Sequence, residues 1–136
     1  MPGYSGTPLR KKLGIKAGFR VQLANPPAEV RTELSTALAE CKVLKQGDGL
    51  DFVMLFSKSR AELAKQFSRL AKSLAPAGML WVSWPKKSSG VATDVDEQVV
   101  RGIGLDAGLV DVKVCAVTEV WSGLKFVRRV KDRTKN

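Results

Sequence analysis

The sequence predicts one three-layer α/β domain built on a mostly parallel sheet of about six strands, in the order 2-1-3-4-6-5, that ends in an antiparallel hairpin. Three observations carry this expectation. Strand-like apolar runs alternate with segments of helical period, which calls for right-handed crossovers and a sheet covered on both faces. Two runs, Leu50–Phe56 and Met79–Trp84, are apolar at successive positions, as strands buried on both faces are. The last two runs are joined only by a short connection containing Trp121-Ser122-Gly123, so they pair as a hairpin. The length of 136 residues suits one core and not two, and 44% apolar residues with 12 glycines exclude disorder over most of the chain.

Taken in order, Thr7-Pro8 caps and starts a short basic helix over 7–13 that Gly14 stops. Phe19, Val21 and Leu23 alternate with polar residues in a strand over 18–24, ended by Asn25-Pro26-Pro27. Val30, Leu34, Ala37, Leu38 and Cys41 line one face of a helix over 27–40, with Asn25 as its cap and the prolines in its first turn. Val43-Leu44 is a short strand, Gln46-Gly47-Asp48-Gly49 a turn, and Leu50–Phe56 a central strand. Ser59-Arg60-Ala61-Glu62 is a capping box, and Leu63, Phe67, Leu70 and Leu74 form the stripe of a helix over 59–74. Pro76-Ala77-Gly78 turns into the strand Met79–Trp84, which ends at Pro85. After the polar loop Lys86–Gly90, Thr93 and Asp96 start a helix over 94–104. Val110, Val112, Val114 and Ala116 alternate as a strand, and Leu124 to Phe126 mark the last one. Trp81 and Trp84, three positions apart, point to opposite faces of their strand.

The domain organisation expected is a basic N-terminal arm with a short helix over 1–17, one α/β domain over 18–130 and a basic tail over 131–136. The formal charge of +10 is concentrated in the ends: residues 1–20 hold five bases and no acid, residues 125–136 six bases and one acid, and the span between is balanced. Such ends read as solvated tails, and at most as nonspecific nucleic-acid contacts, because Phe126 is the only aromatic residue among the C-terminal bases. The longest charge-free stretch, Ser73 to Pro85, contains Pro76 and Gly78 and is too short for a membrane span, so no membrane partner is expected. No secretory leader is recognisable, and two cysteines make no disulfide scaffold, so the expected compartment is the cytoplasm. The absence of histidine excludes Ser-His and Cys-His nucleophiles and histidine-ligated metals.

The strand order, with its reversed last strand, resembles the class I methyltransferase variant of the Rossmann-like fold. The segment Leu74-Ala75-Pro76-Ala77-Gly78 with the following Met79–Val82 resembles the Leu-x-Pro-x-Gly turn and strand in the second half of those enzymes. Gly3-Tyr4-Ser5-Gly6-Thr7-Pro8-Leu9, Lys12–Lys16, Trp84-Pro85-Lys86-Lys87 and Trp121–Val127 resemble a small bacterial family known only as a domain of unknown function. That second resemblance would cover almost the whole chain and carries no catalytic residues with it.

Methyltransferases and dinucleotide enzymes follow the first strand with a glycine-rich turn whose amides face the ligand. Here the turn is Ala24-Asn25-Pro26-Pro27-Ala28, without glycine and with two donors removed, and only Asp48 stands near the place of a ribose-holding acid. No cofactor is therefore expected, and methyl transfer with S-adenosylmethionine is the second reading. The first is a non-catalytic module that recognises a small anion, a nucleotide or a protein partner. Its expected anion site joins Ser57, Lys58, Ser59 and Arg60 after one central strand to Lys86, Lys87, Ser88 and Ser89 after its neighbour, combining cations, hydroxyls and a helix start. Asp94, Asp96 and Glu97 read as first-turn helix acids, Cys41 and Cys115 as small hydrophobes, and Asp51 and Glu119 as acids with no partner that would make an acid–base pair, so no catalytic or metal residue is assigned.

Overall fold

Six strands align in the order β2-β1-β3-β4-β6-β5, as the sequence predicts. The computed structural model describes residues 7–133; the opening Gly3-Tyr4-Ser5-Gly6 and the end of the basic tail, 134–136, lie outside them. The elements are α1 (Leu9–Leu13), β1 (Arg20–Ala24), α2 (Ala28–Ala39), β2 (Lys42–Val43), β3 (Leu50–Phe56), α3 (Arg60–Lys72), β4 (Leu74–Pro85), α4 (Glu97–Asp106), β5 (Leu109–Ala116) and β6 (Trp121–Arg128). β2, β1, β3 and β4 are mutually parallel, and β6 runs antiparallel between β4 and β5. Among the described residues no helix is long and apolar enough to cross a membrane.

Alternation along β3 and β4 sorts the core into two layers, one on each side of the sheet. On one side Leu9, Leu13, Val30 and Leu34 of α1 and α2 cover Phe52, Met54 and Trp81. On the other, Leu63, Phe67 and Leu70 of α3 and Val100 of α4 cover Val53, Leu55, Leu80 and Phe126, with Trp84 on this face and Trp81 on the first. Burying a Leu or Ile side chain contributes about 1.5–3 kcal/mol. The buried Leu9, Leu13 and Ile15 therefore hold the N-terminal segment firmly on the sheet.

Several local expectations are corrected. Asn25 does not cap α2: Pro27 takes that position with no side-chain hydrogen bond, and Asn25 has φ +59°, in the left-handed region. Thr7 does not cap α1, which follows Pro8, although Gly14 ends it at φ +85° as expected. Pro76-Ala77-Gly78 is a bulge inside β4 and not a turn before it, because Leu74 already pairs with Leu50 and the register slips before Phe52 meets Met79. Gly78 is required there, since a Cβ would collide with the Leu50 carbonyl oxygen. α4 starts at Glu97, where the Asp96 carboxylate accepts the Val99 N–H at 2.9 Å, while Thr93 is engaged elsewhere. β5 lies at the sheet edge with a register shift between Asp111 and Lys113, and Val112 and Val114 of its alternating valines are about half exposed.

Candidate functional site

In open α/β sheets the ligand crevice lies at the carboxyl ends of the strands, at the switch in strand order. Here the switch falls between β1 and β3, which leave the sheet at Ala24 and Phe56. Beside them β4 ends at Pro85, opposite Trp121 at the start of antiparallel β6. Phe56 and Trp121 meet edge to face with ring centroids 5.2 Å apart, forming an aromatic floor under this crest. The Thr118 hydroxyl accepts the N–H groups of Val120 and Trp121 at 3.0 Å each, and the Lys86 N–H donates to the Val120 carbonyl at 2.8 Å. The β5–β6 turn and the start of the loop after β4 are thereby fixed to each other.

Three helix starts face the crest, and they differ: that of α4 is capped by the Asp96 carboxylate on the Val99 N–H. The first turn of α3 is filled from within: the Glu62 N–H donates to the Ser59 hydroxyl at 3.2 Å, and the Arg60 N–H to the Asp94 carboxylate at 2.7 Å. The Thr93 hydroxyl donates to the Lys58 carbonyl at 2.7 Å, adding a second tie from the same loop. The first turn of α2 is open. Among the described residues no side chain caps it, and the Ala28 and Glu29 amides meet no acceptor. Asn25 ahead of it takes the backbone region usually left to glycine, and does so next to Pro26, whose ring disfavours helical backbone in its predecessor. A left-handed residue of this kind costs about 1 kcal/mol and persists where its surroundings hold it.

The eight residues expected to form an anion site are distributed as follows. Ser57 is buried; its hydroxyl donates to the Ser59 carbonyl at 3.0 Å and accepts the Ser59 N–H at 3.2 Å. Ser59 caps α3, and the Lys58 and Arg60 side chains are exposed. Lys87, Ser88 and Ser89 form a single helical turn in which the Ser89 hydroxyl donates to the Lys86 carbonyl at 2.6 Å. The contacts that join the 57–60 loop to the loop after β4 run through Thr93 and Asp94, not through Lys86 to Ser89. Asp94 thus takes the α3 amide that an external anion would need. Sequence reasoning missed this pairing, and it missed the backbone of Asn25; only the tolerance of Asn for left-handed φ hinted at the latter.

The remaining candidates have structural partners. Asp48 lies beyond the end of β2, near the start of β3, where its main-chain carbonyl accepts the Arg20 guanidinium at 3.1 Å; this is the amino end of the sheet, away from any ribose at the crest. The Asp51 carboxylate accepts the backbone N–H of Arg20 at 2.9 Å, a structural contact at the start of β1. Asp94, Asp96 and Glu97 diverge onto Arg60, Val99 and Arg101. Burial pushes the thiol pKa of Cys41 and of Cys115 up, so both favour the protonated form and are poor nucleophiles.

Solved structures share this architecture. A SAM-dependent methyltransferase from Aquifex aeolicus superposes with a TM-score of 0.66 over 85% of this chain and 85% of its own, at 16% identity. Magnesium protoporphyrin IX methyltransferase from Synechocystis PCC 6803, with bound SAH, gives 0.57 over 89% and 78% at 14% identity. A protein described as a type 11 methyltransferase, from Sulfolobus solfataricus, gives 0.58 over 89% of each chain at 14% identity. The fold is the class I methyltransferase fold. No protein-family model matches the sequence, and no curated protein matches it either. These superpositions, all on proteins described as methyltransferases, overturn the expectation of a non-catalytic recognition module. The physical reason lies at Asn25. Lack of glycine argued against a cofactor turn, yet Asn25 supplies the left-handed backbone without it.

Proposed function

We propose that the chain is a S-adenosylmethionine-dependent methyltransferase with a glycine-free cofactor turn, working in the cytoplasm. One observation carries this reading: at the switch point of a methyltransferase fold, α2 presents an uncapped first turn behind a left-handed Asn25, whereas the neighbouring α3 start is closed by Ser59 and Asp94. Free first-turn amides and the helix dipole suit a carboxylate. The Ala28 and Glu29 amides and the Asn25 turn are therefore the groups that would hold the amino-acid end of the cofactor.

The fit is good at that end and altered at the sugar. Behind β2 stand Leu44, Lys45 and Gln46 with no acid, so no carboxylate at the end of that strand stands ready for ribose hydroxyls. When bound, the cofactor supplies an electrophilic methyl group. The chain's own contribution is placement. Ser57 and Lys58 after the end of β3 and the Phe56–Trp121 pair would border an acceptor brought to the crest. Holding two reactants in line provides much of the acceleration in such a transfer.

The test is calorimetric and thermal titration with S-adenosylmethionine and S-adenosylhomocysteine. At a hundredfold excess over Kd, ligand should stabilise the fold by about 2.7 kcal/mol. Asn25→Gly should retain binding, and Asn25→Val, whose branched side chain resists positive φ, should weaken it at least tenfold. Absence of any shift with either compound at millimolar concentration would refute the reading.

A further inference from the structure

We propose that a basic groove alongside α3 binds the phosphodiester backbone of a nucleic acid. The inference stands on the groove itself and is independent of methyl transfer. The groove exists because β2 is only two residues long and residues 44–49 lead straight back to β3. No helix follows β2, so the face of β1 on the α3 side is left uncovered beside that helix. Gln22 is on this face, since it pairs with Val53, whose side chain belongs to the α3-side core. The cavity measures about 730 Å³ between Gln22, the 45–48 loop and the flank of α3. A second depression of about 340 Å³ shares Lys65 and Arg69 with it and extends it toward Glu62.

Lys65, Arg69 and Lys72 recur at helical spacing along one wall, spanning about 10 Å at 1.5 Å per residue, and Lys45 contributes from the other. The acids along the groove are Asp48 and, at the far end, Glu62. Among the described residues the ion pairs are those of Arg101, so none of these four cations has a carboxylate partner. Two amides add an independent observation. Gln22 is only 8% exposed and its carboxamide enters the groove without a hydrogen-bond partner; Gln66, lining the extension, has its Oε1 buried and unpartnered. A buried polar atom left unpaired, as Gln66 Oε1 is, costs about 1–3 kcal/mol, a cost that a polar ligand removes.

The shape and chemistry select the ligand. The cations are strung along the wall and do not converge, which suits a row of phosphates better than a single ion. Leu70 is the one large apolar side chain among the polar Gln22, Ser68 and Ser73 of the lining, too little for a partner helix seeking a hydrophobic seat. No aromatic side chain lines it, so the contact is to the backbone and not to stacked bases.

Fluorescence anisotropy with labelled single-stranded and duplex RNA and DNA, over a salt series, tests this on the full chain. K65E/R69E/K72E should weaken binding at least tenfold and lower the salt slope by about two to three. R10E/K11E/K16E, an equal charge change on α1 and the residues after it, should leave affinity within about twofold. If the triple reversal fails to fold, Arg69→Gln and Lys72→Gln each serve, with a loss of about threefold or more expected. Gln22→Leu should weaken binding with an unchanged salt slope. The proposal is overturned if none of the four nucleic acids binds, if the α3 variants bind as the parent does, if the α1-side variant is the one that loses affinity, or if polyglutamate competes as well as the oligonucleotide.

Discussion

The Asp94 carboxylate accepts the backbone N–H of Arg60 at 2.7 Å, closing the first turn of α3 from a loop 34 residues away. Together with the Ser59 hydroxyl on Glu62 N–H, it serves two of the four amides that a helix start leaves without partners. Asp94→Ala should destabilise the protein by about 1 kcal/mol, within the range for lost caps, and Ser59→Ala by a similar amount. Asp94→Asn, which keeps an acceptor oxygen, should lose less than half of that. Urea midpoints of the three variants check the order; equal stability of Asp94→Ala and the parent would show that the contact contributes nothing.

Gly104 is buried under Phe126 on α4, and a Cβ there would collide with the ring. Phe126 cannot yield freely, because its ring is held edge to face against Phe67 with centroids 5.4 Å apart. Helix propensity favours alanine by about 1 kcal/mol, but overpacking costs about 1–3 kcal/mol, so Gly104→Ala should be net destabilising. The shorter side chain of Phe126→Leu should make the double variant less destabilised than the two single losses added together. A thermal melt of the four proteins measures that non-additivity.

The elements legible in the sequence are those whose burial is written locally. β3 is apolar at nearly every position because both its faces are covered, and α3 shows its stripe of Leu63, Phe67 and Leu70 because only one of its faces is. What escaped depends on partners far along the chain. Thr93 carries a capping pattern, yet its hydroxyl goes to Lys58, 35 residues away, and α4 starts later. Pro76 and Gly78 have turn chemistry, but pairing with Leu50 draws them into β4 as a bulge. At the crest, two prolines beside Asn25 suggest a stiff, closed corner; the sign of φ that reopens it is a backbone property no side-chain pattern records.

Arg101 bridges α4 and β5, donating to Asp111 at 2.9 Å and to Glu97 at 2.7 Å. The Asp111 carboxyl is held below its ordinary range, chiefly by the hydrogen bond from the Arg101 guanidinium. A carboxyl depressed in the folded state stabilises it above the unfolded value, near pH 4, and that contribution fades as pH falls through the folded value. The gap in urea midpoint between the parent and Asp111→Asn should therefore be widest near pH 6 and close as the pH falls through the lowered folded value. A gap constant across that range would mean that the pair does not act through its charge.

Trp81 lies wholly buried at the centre of the sheet, and its indole N–H donates to the carbonyl of Leu13 at 2.9 Å, across 68 residues of sequence. Leu13 is the last residue of α1, so this bond and the burial of Leu9, Leu13 and Ile15 fasten the N-terminal segment over one face. Trp81→Phe keeps an aromatic ring but removes the donor, leaving a buried carbonyl unsatisfied beside a small void. The expected loss is about 2–4 kcal/mol, from about 1–3 for the carbonyl and the rest for the void. The loss should also be directional. Hydrogen exchange in residues 9–16 should speed up more than in β3, because α1 is tied to the sheet through Trp81 while β3 is locked by β1 and β4 on either side. Uniform acceleration over both segments would instead place the indole bond among the general supports of the core, with no special hold on the N-terminal helix.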